Sequence, residues 1–157
     1  MFDIIFFNLG NPEKFGFQKT YFLNDPKIKN QIIFVKDLIE AQKIKGQRKL
    51  IVVEDFSVKE EGLITDICAN KKTCFLIDLS KIIKSYGKRR SFALSKIRQF
   101  IFHLVKKGAY FAIASFSKDE KEMRNRDEIE NIMALFNLNK KQTLNAQEIL
   151  KFYLETS

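Results

Sequence analysis

With 157 residues, the chain is most simply one domain spanning residues 1–157, long enough to bury a sizeable core without disulfides or metals. Its 45% apolar and 30% charged residues exclude a disordered tail, and no apolar run approaches the ~20 residues of a bilayer span. The start carries Asp3 and no basic segment, which favours a first strand of a cytoplasmic protein over a signal peptide.

The formal net charge of +9 is concentrated in one stretch, residues 79–118. This stretch holds ten of the 28 basic residues and no Asp or Glu, which leaves 18 basic residues against 19 acidic ones elsewhere. Charge confined to one element produces a local positive field that attracts a polyanion. The pattern therefore predicts a nucleic-acid-binding surface, with a solvated lysine-rich face as the plainer alternative.

Short apolar runs alternate with amphipathic segments through the first half of the chain. The runs predict strands at residues 4–7, 19–23, 32–35, 50–53 and 73–77. Helices are predicted at residues 37–45 and 60–69. This alternation predicts βα units and a parallel sheet, which is an α/β fold. Cys68 and Cys74 lack the further ligands of a zinc site, so both are predicted to be reduced core thiols.

The basic stretch opens with a short turn that Ser80 is expected to cap, followed by a long helix at residues 90–107. The buried stripe of that helix is predicted from 3.6-residue periodicity to contain Leu94, Ile97, Ile101, Leu104 and Val105. Phe92 and Phe102 fall outside the stripe and are predicted to face a neighbouring loop or a partner protein. Gly108 is placed to end the helix in the left-handed conformation.

Residues 110–114 predict a last strand, and Ile129, Ile132, Met133 and Phe136 repeat at helical spacing after it. Asn137 is a plausible left-handed stop for that helix. Two capping signatures follow, Asn139 with Gln142 and Asn145 with Glu148, and the second predicts the start of a terminal helix.

In parallel α/β folds, functional groups collect on the loops that follow the carboxyl ends of the strands. The loop after residues 73–77 leads to Lys88, Arg89 and Arg90, and the loop after residues 110–114 carries Lys118, Arg124 and Arg126. Because the planar fork of arginine matches phosphate oxygens, these residues are predicted to contact RNA at one shared rim.

Catalytic candidates are few, and the sequence predicts no catalytic residue, metal site or cofactor. His103 is the single histidine and lies among lysines on the polar side of the long helix. Glu54, Asp55 and Asp78 end two strands and could hold Mg²⁺, although carboxylates at such positions more often cap the following helix. No glycine-rich phosphate loop is present in the sequence.

The segment 75–115 reads FLIDLSKIIKSYGKRRSFALSKIRQFIFHLVKKGAYFAIAS. It contains a predicted strand, a short turn, a corner at residues 87–90, a basic helix that includes Arg98, and an apolar strand ending at Ser115. In this order and spacing the segment resembles ribonuclease P protein component 3, the p30-type subunit of archaea and eukaryotes. The likeness continues to Arg124, where the family has Arg-x-Pro. Arg126 stands in place of that Pro, and Asn137 stands in place of a helix-ending Gly.

The amino-terminal half resembles the same family more loosely. The segments LIVVED and EEGLITDICANKKTCFLIDL look like two family segments with the unit between them missing. The family fold is a TIM-like barrel, so the resemblance implies a reduced or incomplete TIM-barrel-like parallel sheet with surrounding helices. One βα unit is expected to be absent.

The resemblance also implies a function. The family is related to metal-dependent phosphoesterases with His-rich sites, which a chain with one His cannot rebuild. It implies a non-catalytic subunit of ribonuclease P, in which the RNA component removes the 5′ leader of precursor tRNA. The implied partners are that RNA and a small RRM-like protein subunit. The residues expected at the RNA or the protein partner are Lys88, Arg89, Arg90, Arg98, Lys118, Arg124, Arg126, Phe92 and Phe102.

Two other readings of the sequence stay open. One is a stand-alone metal-dependent phosphoesterase or nuclease on a related barrel. The other is a generic nucleic-acid-binding α/β domain with no cleaving partner.

Overall fold

The structure is a computed structural model and describes residues 1–156. Within these residues, short strands alternate with helices. The strands are β1 Phe2–Ile5, β2 Lys19–Phe22, β3 Ile32–Val35, β4 Leu50–Val53, β5 Cys74–Asp78 and β6 Phe111–Ala114. The helices are α1 Pro26–Lys29, α2 Leu38–Gln42, α3 Gly62–Cys68, α4 Ser80–Ile83, α5 Gly87–Lys106, α6 Arg126–Leu135 and α7 Lys140–Glu155. A 3₁₀ turn, Pro12–Phe15, joins β1 to β2.

Every strand pairing is parallel, as the sequence predicts for an α/β fold. One sheet has the order β3-β4-β5-β6, and β1 and β2 form a second sheet. The two sheets meet where β6 leads into its exit loop. There, Phe6 N donates to the Ser117 carbonyl at 2.9 Å and Phe116 N donates to the Ile4 carbonyl at 3.0 Å. Within residues 1–156, β2 and β3 do not pair and no closed barrel forms.

Alternate side chains along most strands enter two different buried clusters, which explains why those strand sequences are apolar at consecutive positions. One set of strand residues from both sheets shares a single apolar interior. This inner set includes Phe2, Ile4, Tyr21, Leu23, Ile32, Leu50, Val52, Cys74, Leu76, Ala112, Ala114 and Phe116. The intervening residues, such as Ile5, Val53, Phe75 and Ile77, pack instead beneath the helices. Strands β1, β4, β5 and β6 are therefore buried on both faces, whereas Lys19 and Phe22 of β2 and Phe34 of β3 are exposed.

Helix α7 lies across the amino ends of the strands. Its Leu150 and Tyr153 belong to the apolar interior between the sheets. The Tyr153 hydroxyl donates to the Lys72 carbonyl at 2.7 Å, just before β5. Gln147 Oε1 accepts from the Phe2 amide at 2.5 Å, at the start of β1. With the amino ends covered by α7, the carboxyl ends and the helices that follow them are left to form a functional surface.

A buried polar cluster stabilises the joint between β1 and β6. The Asp3 carboxylate, 1% exposed, accepts from Ser115 N at 2.7 Å, Ser115 Oγ at 2.5 Å and Ile4 N at 2.9 Å. Ser115 Oγ also lies 2.7 Å from Ser117 Oγ. Burial raises the pKa of Asp3 to about 6, although these hydrogen bonds act in the opposite direction.

Several local predictions are confirmed. Gly108 and Asn137 end their helices with φ of 65° and 61°. Asn139 and Gln142 form a capping box at the start of α7. The two cysteines are free, and burial raises the pKa of Cys68 to about 11 and that of Cys74 well above its ordinary value.

Other predictions are wrong. Helix α5 begins at Gly87, not at residue 90, and α7 runs unbroken through Asn145, which caps nothing. Val105 is 41% exposed because it lies at the edge of the buried stripe. Ser80 does not cap α4 as predicted: its backbone N–H donates to the Asp78 carboxylate at 2.8 Å, and Leu79 occupies the N-cap position.

None of the helices within residues 1–156 is both long and apolar enough to cross a membrane.

Candidate nucleic-acid interface

The first turn of α5 carries the basic corner of the sequence. Gly87, with φ of 54°, turns the chain sharply from α4 into α5, so Lys88, Arg89 and Arg90 are helical and do not lie in a loop. No acidic residue lies in this turn, and the N-cap Tyr86 makes no side-chain capping bond. Positive charge at a helix N-terminus opposes the helix dipole, typically by about 0.3–1 kcal/mol per charge. The arrangement is therefore not explained by the stability of α5 alone.

Arg90 turns back toward α4. Its Nε donates to the Ser85 carbonyl at 2.7 Å and to the Ile82 carbonyl at 3.2 Å, and its guanidinium lies 5.3 Å from the centre of the Tyr86 ring. The Ile82 carbonyl lies in the last turn of α4, and the Ser85 carbonyl lies between α4 and α5, where helical i→i+4 bonding has ended. The structure therefore assigns Arg90 a capping role in the α4–α5 corner.

Lys88 and Arg89 lie on the exposed side of the same turn. Neither side chain makes a hydrogen bond or an ion pair with any residue in the range 1–156. Lys106, Lys107 and Lys118 share this property within the same range. Half of the ten basic residues in the segment 79–118 thus keep their charge unpaired among the residues described.

Three other lysines of this segment have partners. Lys84 Nζ lies 3.3 Å from Glu122 Oε2, and Lys96 Nζ lies 3.8 Å from Asp55 Oδ1. Lys81 donates to the Glu54 carbonyl. Acidic side chains therefore pair with Lys84 and Lys96, before and after the first turn of α5, while Lys88 and Arg89 in that turn keep their charge unpaired among residues 1–156.

Arg98 lies farther along α5, beside the end of α6. With the Asn137 amide oriented to match its surroundings, its oxygen accepts from Arg98 Nη2 at 2.8 Å and from Nε at 3.2 Å. A groove of about 380 Å³ adjoins this contact, and Phe102 and Val105 line it. Phe102 is 60% exposed, which confirms that its ring points away from the buried stripe.

The exit loop of β6 contributes less free charge than the sequence suggests. Arg124 Nη1 donates to the carbonyls of Glu122 and Met123 at 3.2 and 3.0 Å, so it fastens its own loop. Arg126 Nε lies 2.9 Å from Glu130 Oε1. Arg90 and Arg124 line one groove of about 280 Å³. The structure thus brings these two arginines together, but it engages both with backbone carbonyls.

A third groove, of about 230 Å³, separates α5 from the exit of β4. Arg89, Phe92 and Lys96 line it from α5, at the i, i+3 and i+7 positions of one helical face. Lys81 and Phe56 line the opposite side. Sequence reasoning missed these last two residues and also Tyr86, which is 78% exposed. The position of Tyr86 directly before the basic corner is the signal that could have found it.

The carboxylates considered for a metal site have other partners. Asp55 Oδ1 accepts from Ser57 N at 3.1 Å, and Asp78 accepts from Ser80 N. Burial raises the pKa of Asp78, against the effects of Ser80, Lys81 and Lys84. His103 contacts the Glu61 carboxylate, beside α3. Residues 1–156 contain no cluster of three or more His, Cys, Asp or Glu side chains suited to a metal ion.

Phenylalanine rings lie at the carboxyl end of the interior. The Phe116 ring lies 6.2 Å from Phe6, after β1, and 5.9 Å from Phe34, in β3. Phe116 is buried and has φ of 51°, a conformation that costs a side-chain-bearing residue about 1–2 kcal/mol. Its contacts with the two other rings offset this strain. The mouth in which parallel α/β enzymes bind substrate is therefore lined by apolar side chains, of which Phe34 is 48% exposed.

No protein-family model matches the chain, and a search of curated proteins gives no significant match. The geometry of the α5 surface is therefore the basis on which function is inferred.

Proposed function

We propose that this protein is a non-catalytic RNA-binding subunit of ribonuclease P, a shortened p30-type component working in the cytoplasm. The unpaired charge of Lys88 and Arg89 at the start of α5 is the observation that supports RNA binding. The assignment to ribonuclease P rests on the resemblance of residues 75–115 to the p30-type family. The chain has 19 acidic residues, yet none in the range 1–156 pairs with these two side chains. Free, exposed cations on a rigid helix are suited to bind phosphates and to displace their counterions.

The apolar lining at the carboxyl ends of the strands supports a non-catalytic role. The rings of Phe6, Phe34 and Phe116 lie there. Asp55 and Asp78 accept hydrogen bonds from the turns that follow their strands. In this proposal the RNA component cleaves the 5′ leader of precursor tRNA, and the protein stabilises the RNA through charge and shape.

The arrangement of the strands supports a reduced TIM-like barrel. Side chains from both sheets converge on one interior, as they do inside a barrel. The missing unit is proposed to lie between β4 and β5, which pair directly over Leu50–Cys74 and Ile51–Phe75. Removing a whole βα unit preserves the parallel direction of its neighbours, so the two flanking strands can pair. The opening of the sheet lies instead between β2 and β3.

The groove between α5 and the α6–α7 junction is the proposed site of the small RRM-like protein subunit. Phe102 and Val105 expose apolar surface there, and Arg98 lies at its edge. An arginine beside an exposed aromatic ring is typical of residues that dominate protein–protein binding energy. In this arrangement RNA and protein partner would bind to different sides of α5.

Co-purification tests the proposal. The tagged protein, isolated from its own cells, is expected to bring down ribonuclease P RNA and pre-tRNA cleavage activity. The Lys88→Glu/Arg89→Glu variant should recover much less of that RNA. Lys43→Glu/Lys59→Glu is the matched control, because it reverses two exposed lysines outside the basic segment. Absence of the RNA from the wild-type preparation would contradict the proposal.

A stand-alone metal-dependent nuclease is the alternative, and the position of Asp78 at the carboxyl end of β5 is its best support. The two functions differ in what the purified protein does by itself. We expect no cleavage of RNA in Mg²⁺ or Mn²⁺. Metal-dependent cleavage that Asp78→Ala abolishes would favour the nuclease.

A further inference from the structure

Two aromatic side chains at the start of α5 are more exposed than any other large apolar side chain in residues 1–156. Tyr86 is 78% exposed and Phe92 is 65% exposed. A single exposed ring is ordinary on a protein surface. These two flank Lys88 and Arg89, whose charges are unpaired among the residues described. Rings interleaved with free cations are the combination found on surfaces that bind single-stranded nucleic acid.

The groove beside Phe92 defines what kind of ligand fits. Its volume of about 230 Å³ is below the roughly 300 Å³ at which sites for drug-sized molecules begin. The Phe92 ring forms one side, with Lys96 Nζ 4.9 Å from the ring centre. Arg89 lies one helical turn before Phe92 on the same wall. One planar group with one neighbouring phosphate matches this size and this chemistry.

We propose that the groove holds one unpaired nucleotide of the RNA, with its base stacked on Phe92 and the adjacent phosphates bound by Lys88 and Arg89. This inference rests on the proposed RNA-binding function and specifies the form of RNA that is bound. In an A-form duplex the base faces are stacked on one another, so only a splayed-out base can reach a protein ring. Loops, bulges and single-stranded ends of the RNA are therefore the expected ligands.

Asp55 opposes binding in this groove. Its carboxylate lies 3.8 Å from Lys96 Nζ and adds a negative charge to the wall facing the nucleotide. The same oxygen accepts from Ser57 N at 3.1 Å, a bond that an asparagine oxygen can also accept. Asp55→Asn therefore removes the charge while keeping the turn.

The decisive comparison is between a single-stranded RNA oligonucleotide and a duplex of the same length, each titrated at fixed salt. Phe92→Ala is expected to weaken binding of the single strand about five- to thirty-fold and to leave duplex binding within about two-fold. Phe92→Trp should bind the single strand as well as the wild type, because it keeps a stacking surface. Tyr110→Ala is the matched control, an exposed ring at the amino end of β6.

The outcomes separate this inference from the broader function. If the wild type binds RNA and Phe92→Ala binds both RNAs equally well, the stacking site is wrong while RNA binding stands. If the wild type binds neither RNA, the inference and the proposed function both fail. If Phe92→Ala loses only the small protein subunit of the particle and keeps single-stranded RNA, the groove is a protein site and the inference is overturned.

A gain of affinity gives an independent test that misfolding cannot imitate. Asp55→Asn is expected to tighten binding of the single-stranded oligonucleotide by about two- to five-fold at low salt, because it frees Lys96. The gain should shrink at high salt, where the charges are screened. Weaker binding by this variant would contradict the placement of the nucleotide in the groove.

Discussion

Asp3 is the buried carboxylate at the joint between the two sheets, and its ionisation should make stability depend on pH. Its ordinary pKa is 3.8, and burial raises it to about 6 in the folded protein. Between these values the folded state holds more protons than the unfolded state, so stability falls as pH rises from about 4 to 6. Across this range the free energy of unfolding is expected to fall by about 3 kcal/mol, because each unit of pKa difference corresponds to about 1.4 kcal/mol.

Asp3→Asn removes this ionisation and should flatten that part of the pH profile. The measurement is the free energy of urea unfolding at several pH values from 4 to 7, taken as the difference between wild type and variant. The difference should change in favour of the variant as pH rises. Parallel profiles for the two proteins would show that Asp3 does not titrate in this range.

Arg89 and Arg90 are neighbours in sequence with different roles in the structure. Arg90→Ala is expected to lower the free energy of unfolding by about 1.5–3 kcal/mol, because two backbone carbonyls lose the charged donor that lies 2.7 and 3.2 Å from them. Arg89→Ala should change stability by no more than about 0.5 kcal/mol, because its side chain is exposed. Chemical denaturation measures both, and equal losses for the two variants would contradict this division.

The sequence predicts the basic corner but treats its residues as equivalent. That equivalence rests on a predicted loop that reaches residue 89, with the helix beginning at residue 90. Gly87 starts the helix three residues earlier, so consecutive side chains diverge around its axis. The start depends on the left-handed φ of Gly87 and on the Ile82 and Ser85 carbonyls that accept from Arg90. Neither appears in a local pattern, which is why sequence reasoning could not separate Arg89 from Arg90.

At the scale of elements, α7 offers a matched pair of asparagines. Both Asn139 and Asn145 have a suitable partner three residues later, and the sequence favours a new helix at each. The structure caps α7 at Asn139, whose side chain accepts from Gln142 N at 2.8 Å, and runs straight through Asn145. Thr143, before Asn145, and Ala146 and Leu150, after it, are all buried, which favours one continuous helix over two.

These two asparagines should respond to alanine in opposite ways. Asn139→Ala is expected to destabilise the protein by about 1 kcal/mol because it removes the cap. Asn145→Ala should be neutral or stabilising by up to roughly 0.6 kcal/mol, since alanine is the better helix former at an exposed position. Thermal unfolding of the two variants side by side decides this. A destabilised Asn145→Ala would indicate a break in α7.

For the whole molecule, most strand runs were predictable because nearly all residues of β1, β4, β5 and β6 are buried and apolar. Leu50–Val53 and Ile32–Val35 have the predicted bounds. The parallel direction follows from the helices between the strands. What the sequence could not supply is how the two sheets come together. Phe34 and Phe116, whose rings pack together, are far apart in the chain. No local sequence pattern indicates that α7 covers the amino ends of the strands.

The most direct test of RNA binding through the start of α5 is the salt dependence of affinity for ribonuclease P RNA. The logarithm of the binding constant is measured against the logarithm of salt concentration for the wild type and for Lys88→Ala/Arg89→Ala. Each phosphate contact contributes about 0.7 units of slope on single strands and about 0.9 on duplex, so the slope should fall by roughly 1.4–1.8 units. Lys43→Ala/Lys59→Ala, with the same change in net charge, should keep the wild-type slope. A slope that is unchanged when Lys88 and Arg89 are removed would contradict the assignment of the α5 surface to RNA.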